Sequence, residues 1–308
     1  MPDRIERGED RQVGRETAKY RMVRYSIAIC NRNMAETIER SIRSIADQIG
    51  EDYEIVVVDD GSTDGSLAIL NDLAEAYPSL RIVEGDNQNL AEARNQSFEA
   101  ARGEFVLESL DTDDVYSAGI TDFVEIFEQL HEQLAFDFYL KGDSINMAPR
   151  DLLLEYPYRS LKRAEDFDLW KRLFDDEAII WLKHDPFWEQ IAKPETSPIA
   201  QWKLDVTRKI GILRSGTSLS SSLQWYLRTR TPSDLGLYYH LLTFTIAFPF
   251  ARRRGIYETP PQFDTYESLT TRIDESSRTL DEIETAYDVQ IDRQALSERG
   301  KALFCRGQ

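Results

Sequence analysis

Lysine is scarce in this chain. Only nine of its 37 basic residues are lysines, set against 55 acidic residues and a formal net charge of -18. A surface this acidic repels nucleic acid unless a basic face is segregated, and none reads out of the first 200 residues. Acidity together with lysine scarcity fits a halophilic protein from a salt-rich cytoplasm, where ions screen the self-repulsion. An acidic protein of no special origin is the other reading. Cysteine is scarcer still. Cys30 and Cys305 supply neither a disulfide framework nor metal-ligand spacing, which suits a reducing, intracellular compartment. The three histidines do not cluster, and a packing or loop role is expected for His184. The segment from Asp3 to Arg24 is charged and has no apolar h-region, so no signal peptide is expected. A long hydrophobic run is also missing. The nearest approach is Leu235–Ala251, 17 residues free of Asp, Glu, Lys and Arg, just short of a comfortable membrane span and followed at once by Arg252–Arg254.

What is present is an alternation. Tyr25–Cys30 is a short apolar run that predicts a buried strand, and Ile38, Ile42, Ile45 and Ile49 then recur at helical spacing. Glu54–Val58 predicts a second strand, ending abruptly in Asp59-Asp60-Gly61-Ser62. A helix with Leu67, Leu70 and Leu73 on one face follows, stopped by Pro78. Arg81–Val83 reads as a third strand. A third helix carries Leu90, Ala93, Ser97 and Ala101, with Gly103 as its expected cap, and Asn89 before it can adopt a left-handed turn. Glu104–Leu107 is the fourth strand and runs into Leu110–Asp114. Strand and helix in alternation mean a mainly parallel, doubly wound sheet flanked by helices. In such sheets ligands bind beyond the carboxyl ends of the strands, where both aspartate clusters fall.

Asp111-Thr112-Asp113 is the central signal. Two carboxylates one residue apart at a strand end can reach a hard divalent cation and the ribose of a nucleotide together. Alone, the pattern is weak in so acidic a chain, and its plain alternative is a solvated turn. It does not stand alone. Ser26–Ile38, Val56–Gly65, Ala93-Arg94-Asn95, Ala101–Phe105 and Leu110–Asp114 come in one order within about ninety residues. Over roughly residues 24–190 the sequence resembles family 2 glycosyltransferases of the GT-A fold. The resemblance implies an inverting, metal-dependent transfer from a nucleotide-diphosphate sugar donor, with Mn2+ or Mg2+ as cofactor. It places Asp60 on the donor base, Arg94 near the nucleotide, Asp111 and Thr112 at ribose and cation, and Asp113 as direct metal ligand. Where the family has Pro-x-Tyr-Asn, this chain has Cys30-Asn31-Arg32-Asn33. Arg32 could stack on the donor base through its planar guanidinium, and Cys30 reads as a small strand residue on the donor side rather than a nucleophile. Glu165-Asp166, ahead of Leu169-Trp170, resembles the family's acidic pair, which makes Asp166 the catalytic base with Glu165 beside it. Helix capping is the competing role for these acids.

The expected organisation is a polar arm over 1–23, a GT-A domain over 24–200, a helical and partly apolar region over 201–255, and an acidic helical tail over 256–308 entered through a Pro260-Pro261 linker. For Leu235–Ala251 three readings stand: a core helix, an interfacial helix and a short span. The interfacial reading suits a saccharide acceptor linked to polyprenyl phosphate, and an enzyme peripheral on the inner face of the cell membrane. Transfer directly to polyprenyl phosphate competes, but that acceptor is already anionic and needs no base. A non-catalytic binding protein of the same fold competes from another class. A phospho-acceptor receiver domain would need a lone second aspartate in place of Asp111–Asp114, and a pyrophosphorylase would need a Gly-rich first loop.

Overall fold

The computed structural model describes residues 23–192, 197–229, 231 and 234–305, so the expected polar arm lies, except for Val23, outside the described residues. The first half alternates as the sequence predicts: β1 (Tyr25–Asn31), α1 (Ile38–Ala46), β2 (Tyr53–Asp59), α2 (Ser66–Ala76), β3 (Leu80–Glu84), α3 (Leu90–Ala100) and β4 (Phe105–Glu108). Then come β5 (Asp114–Tyr116), α4 (Ile120–Gln133), β6 (Tyr139–Lys141), β7 (Asn146–Pro149), α5 (Arg150–Glu155), α6 (Glu165–Asp175), β8 (Ile179–Leu182) and β9 (Trp188–Gln190). The remainder is α7 (Pro198–Arg214), α8 (Leu219–Thr229), α9 (Leu235–Arg254), α10 (Tyr266–Ser276), β10 (Ser277–Arg278), α11 (Leu280–Tyr287) and α12 (Glu298–Phe304).

Eight strands form one sheet in the order β10-β8-β6-β7-β4-β1-β2-β3. All neighbours are parallel except those of β7, which runs against both β4 and β6. The period of two along each strand divides the core. Ile27, Ile29, Ile55, Val57, Phe105 and Leu107 face α1, α2 and α4. Ala28 and Val106 face the opposite layer with Ala91, Phe98 and Leu169. Both faces are covered, which is why the strands read as continuous apolar runs rather than alternating ones. The chain runs from β1 outward to β3, then returns to place β4 on the other side of β1. This reversal opens a crevice at the carboxyl ends of β1 and β4.

Several local expectations are corrected. Gly103 does not cap α3. A Cβ there would lie 2.7 Å from the backbone nitrogen of Ser26, so glycine is needed for close approach to β1. Asn89 is extended (φ -163°, ψ 167°), not left-handed, and its side chain caps α3 by accepting from the Glu92 N–H. Ile49 lies beyond the end of α1 at Ala46. The boundary expected at residue 200 falls inside α7. The segment read as an acidic tail does not stand apart. β10 extends the sheet beside β8, and Leu280, Ile283, Leu303 and Phe304 enter the main core. Pro260 starts a short 3-10 turn that buries Phe263, so the Pro-Pro pair packs rather than links.

Among the described residues no helix is long and apolar enough to cross a membrane. The inner face of α9 buries Phe244, Ala247 and Ala251 against Ile210 and Leu213 of α7. Its outer face leaves Leu235 83%, Tyr238 55%, Leu242 56% and Phe250 50% exposed.

Candidate active site

Three loops leaving the carboxyl ends of β1, β2 and β4 converge with the N-terminus of α6. At β1 and β2 the paired aspartates divide their work. Asp59 is buried and spent on the loop, accepting from Asn31 Nδ2 (2.6 Å), Ser62 Oγ (2.6 Å) and the Ser62 N–H (3.1 Å). Asp60 accepts from the Asn87 N–H (2.6 Å) and pairs with Arg32 at 3.4 Å, while the Arg32 side chain remains 61% exposed. Cys30 is half-buried. Burial pushes its thiol up to about 12, with the negative charges of Glu108, Asp111 and Asp60 adding to this and Arg94 opposing. A neutral thiol is a poor nucleophile, in keeping with a strand residue.

After β4 the chain turns at Ser109, which holds a left-handed φ of 68°, and delivers Asp111. The turn is pinned from both sides: the Asp111 N–H donates to Tyr116 Oη (2.7 Å) and Ser41 Oγ donates to the Asp111 carbonyl (3.0 Å). Thr112 is buried beneath it. Asp114 begins β5, which pairs antiparallel with β9, and the Ile191 N–H holds the Asp113 carbonyl at 2.8 Å. Among the described residues Asp113 Oδ2 accepts from Gln190 Nε2 alone, at 3.1 Å. Carboxylate oxygens of Asp111, Asp113 and Asp114 lie within 4.8 Å of one another. Asp114 is the residue that sequence reasoning missed, although it closes the quoted motif; it is buried, and among the described residues its Oδ1 has no hydrogen-bond partner. Burial, then the charges of Asp111 and Asp113, push its carboxyl up to about 7. Asp111 opens to solvent on one side and is crowded by protein on the others. That crowding, opposed by Arg94 and reinforced by Asp113, Glu108 and Asp166, pushes it up to about 6. Three mutually repelling carboxyls, one of them orphaned, are a hard-oxygen donor set that a divalent cation would neutralise.

α6 begins with the other acidic pair. Ala164, at its N-cap, holds a left-handed φ of 65° and provides no side-chain cap. Such a conformation is costly for a residue with a Cβ and is kept by its surroundings. One of these is Gly211 of α7, where a Cβ would stand 1.9 Å from the Arg163 carbonyl oxygen. On its far side α6 is tied down by Lys171 Nζ, which donates to the Ser215 carbonyl (3.0 Å) and to Thr217 Oγ1 (2.8 Å). Glu165 is buried, and burial followed by the neighbouring Asp166 raises its carboxyl above the usual range against Arg94. Asp166 is half-buried and opens into the crevice.

Arg94 joins the two acidic groups. Its guanidinium lies over the Tyr158 ring (5.0 Å), 3.9 Å from Glu108 and 3.9 Å from Glu165. Burial opposes its charge, but Tyr158, Glu108, Asp166 and Glu165 together outweigh burial and hold it firmly cationic. Glu108, itself buried, accepts from Asn146 Nδ2 (2.7 Å), Tyr158 Oη and Tyr139 Oη. Arg94, Asp111, Glu165 and Asp166 line one cavity of about 420 Å3. Asp113 lines a neighbouring one of about 670 Å3, with Asn33, Asp64 and Arg40. The two acidic motifs, 55 residues apart in sequence, therefore meet across Arg94. His184 stays out of this constellation: it packs against Phe187 and Phe304 and accepts from the Asp143 N–H.

A crevice at the switch point of a doubly wound sheet, with acidic groups beyond the strand ends, defines a nucleotide-site class of α/β protein. Comparison with known proteins makes this specific. The profile of glycosyl transferase family 2 matches residues 26–190, and the chain belongs to that family. The cholesterol galactosyltransferase of Borreliella burgdorferi is 32% identical over 150 residues, covering 46% of this chain and 40% of that protein. The uncharacterized glycosyltransferase EpsJ of Bacillus subtilis is 33% identical over 189 residues, covering 53% of this chain and 54% of its own length. The matched stretch thus spans less than two thirds of either relative. Glucosyl-3-phosphoglycerate synthase from Mycobacterium tuberculosis, solved with Mn2+, UDP and phosphoglyceric acid, aligns at a TM-score of 0.50 and 19% identity, over 65% of this chain and 81% of that one. That likeness is one of fold, and the fold is GT-A.

Proposed function

We propose that this protein transfers a sugar, with inversion, from a nucleoside-diphosphate donor to a hydroxyl of a saccharide acceptor. The observation that carries the reading is the meeting of Asp111 and Asp166 in one cavity, with Arg94 between them. The acceptor oxygen attacks the anomeric carbon as the bond to the diphosphate breaks, and Asp166 takes the acceptor proton as the new bond forms. Glu165 holds Arg94 in the cavity wall. Arg94 offsets the negative charge that Asp111 and the donor bring together. Asp60 and Arg32 face the base, with Cys30 and Thr112 packing beneath the donor. Asp111, Asp113 and Asp114 would hold Mn2+ or Mg2+. When bound, the cation neutralises the diphosphate leaving group. The fold neighbour solved with Mn2+ and UDP supports this choice of cation and donor.

Incubation of the whole chain with a panel of UDP- and GDP-sugars is expected to consume one donor only when Mn2+ or Mg2+ is present. Proton NMR of the product should show an anomeric configuration opposite to the donor's. Retained configuration would rule out the single displacement. Absence of both turnover and nucleotide binding would make this a non-catalytic relative.

The exposed side of α9 favours an acceptor presented at a bilayer. Leu235, Tyr238 and Leu242 lie on one outward stripe, and Arg252–Arg254 end the same helix in a chain otherwise too acidic to approach anionic lipid. The protein is expected to co-sediment with phosphatidylglycerol vesicles and to stay bound in high salt, since apolar burial survives screening. Leu235→Glu with Leu242→Glu should release it without loss of fold, because both side chains are outside the core. A wild-type protein that stays in the supernatant would refute the docking. Phe244 is unsuitable as a probe, being buried against α7.

A further inference from the structure

The cavity that holds Asp166 has a second wall whose chemistry the transfer reaction leaves unused. That wall is the face of α7 carrying Gln201, Leu204, Asp205 and Arg208, at positions i, i+3, i+4 and i+7. Arg163, three residues before Asp166, joins Arg208 at the cavity. Both arginines are exposed, and among the described residues neither is paired with a carboxylate. Of the other arginines around the crevice, Arg94 pairs with Glu108 and Glu165, Arg159 and Arg172 with Asp168, and Arg32 with Asp60, while Arg40 stands apart in the neighbouring cavity with Asp113, on the donor side. Among the described residues no acid of the cavity lies within ion-pair distance of either guanidinium, although the charge of Arg163 reaches Glu165 and Asp166 shares the cavity as the acceptor's base. Asp205 accepts from Tyr239 Oη at 2.6 Å, Glu165 faces Arg94, and Asp111 belongs to the carboxylate cluster. In a chain of net charge -18, two exposed cations with no ion-pair partner among the described residues, beside the acceptor's base, are a place for an anion.

The geometry points to a phosphate-binding subsite, formed by Arg163 and Arg208, that holds a phosphate group carried by the acceptor. This rests on the transfer reading above and names the acceptor's class within it: a phosphorylated glycan or a glycan linked through phosphate. The donor's diphosphate belongs on the other side, by Asp111 and Asp113, whereas Asp166 must touch the acceptor. Phosphate fits better than carboxylate. A carboxylate is filled by one guanidinium fork, while the non-bridging oxygens of a phosphate, three in a monoester and two in a diester, carry enough lone pairs to accept from two guanidinia at once. The subsite also explains why Gly211 is required. It lets α7 close onto the Arg163 carbonyl, so that Arg208 and Arg163 border the same cavity.

The test is calorimetric titration of the whole protein with hexyl phosphate, with and without saturating UDP or GDP and Mn2+. Wild type is expected to bind hexyl phosphate in both conditions, and hexyl glucoside far more weakly. Arg163→Gln with Arg208→Gln should weaken hexyl phosphate at least about tenfold, with nucleoside-diphosphate affinity unchanged. Arg208→Gln alone, an exposed change on one helix, should give part of the loss, and Arg208→Lys should restore part of it. Equal hexyl phosphate binding by the double variant would overturn the subsite. Competition between hexyl phosphate and the nucleotide would overturn it too, by assigning the guanidinia to the donor. A double variant that loses binding to phosphatidylglycerol vesicles but keeps hexyl phosphate would move them to the bilayer surface, which is the third contrary result. If neither nucleotide binds with Mn2+, the transfer reading fails by itself. The arm without nucleotide still decides the subsite.

Discussion

Asp166→Asn is expected to lower sugar transfer by on the order of a hundredfold or more, the scale of a lost general base. Affinity for the nucleoside diphosphate should stay nearly unchanged. The substitution keeps the side chain's size and removes its ability to take a proton. A purely structural role is the competing account, since acids at a helix N-terminus are favoured in any case. The surroundings argue against it. α6 has no side-chain cap, and among the described residues the Asp166 carboxylate accepts no hydrogen bond from the helix backbone. What Asn would forfeit is the interaction with the helix dipole, about 0.3–1 kcal/mol. A hundredfold loss of rate corresponds to about 2.7 kcal/mol of barrier. The helix-dipole term therefore cannot produce the expected effect. Single-turnover transfer and the melting temperature, measured on the same preparation, separate the two accounts. Near wild-type turnover would leave Asp166 a helix-end residue.

The first half of the fold was legible because each strand is covered on both faces and each helix on one. β1, β2 and β4 read as unbroken apolar runs, and Ile38, Ile42 and Ile45 mark the buried stripe of α1. The far half of the sheet was less so. β6 and β7 have three and four residues, and β6 ends in Lys141, whose ammonium lies over the rings of Trp170 and Trp181. Strands this short carry too little periodicity to be told from loop. The reversal of β7 leaves no composition signal, since its residues are buried exactly as a parallel strand's would be. The C-terminal return was hidden for a different reason. Leu280 and Ile283 have helical spacing, but spacing says that a helix has a buried face and not which core receives it.

The site divides along the same line. Asp111, Asp113, Glu165 and Asp166 could be found because each pair is local in sequence. Glu108 could not. It ends a strand like many other residues, and its importance lies in the Tyr139, Tyr158 and Asn146 groups that converge on it from distant segments. Arg208 is one arginine among many on a helix surface until α7 is laid against the Arg163–Ala164 turn. The role of Arg94 was legible only through resemblance. Its physical reason, a buried cation shared by two acidic motifs, requires the fold.

Asp113→Ala should reduce the affinity for UDP or GDP in Mn2+ to the level that wild type shows in EDTA. The Asp113 carboxylate is half-exposed and, among the described residues, accepts one hydrogen bond, from Gln190, while the turn itself is held through its backbone carbonyl by Ile191. Alanine therefore removes a cation ligand and leaves the turn's own support in place. Substitutions at such positions ordinarily change stability by no more than about 0.5 kcal/mol. Here the sign can be given as well. Asp111, Asp113 and Asp114 crowd within 4.8 Å, and Asp113 helps to push both neighbours' carboxyls upward. Removing one of three repelling charges relieves the other two. Without metal the variant should melt at or above the wild-type temperature, and with Mn2+ and nucleotide it should lack the wild type's upward shift. A structural Asp113 would give the reverse order, a lower melting temperature in EDTA with the nucleotide shift preserved. Calorimetric titration of UDP and GDP, each in Mn2+ and in EDTA, completes the test. Undiminished wild-type affinity in EDTA would mean that the three aspartates hold no cation in donor binding.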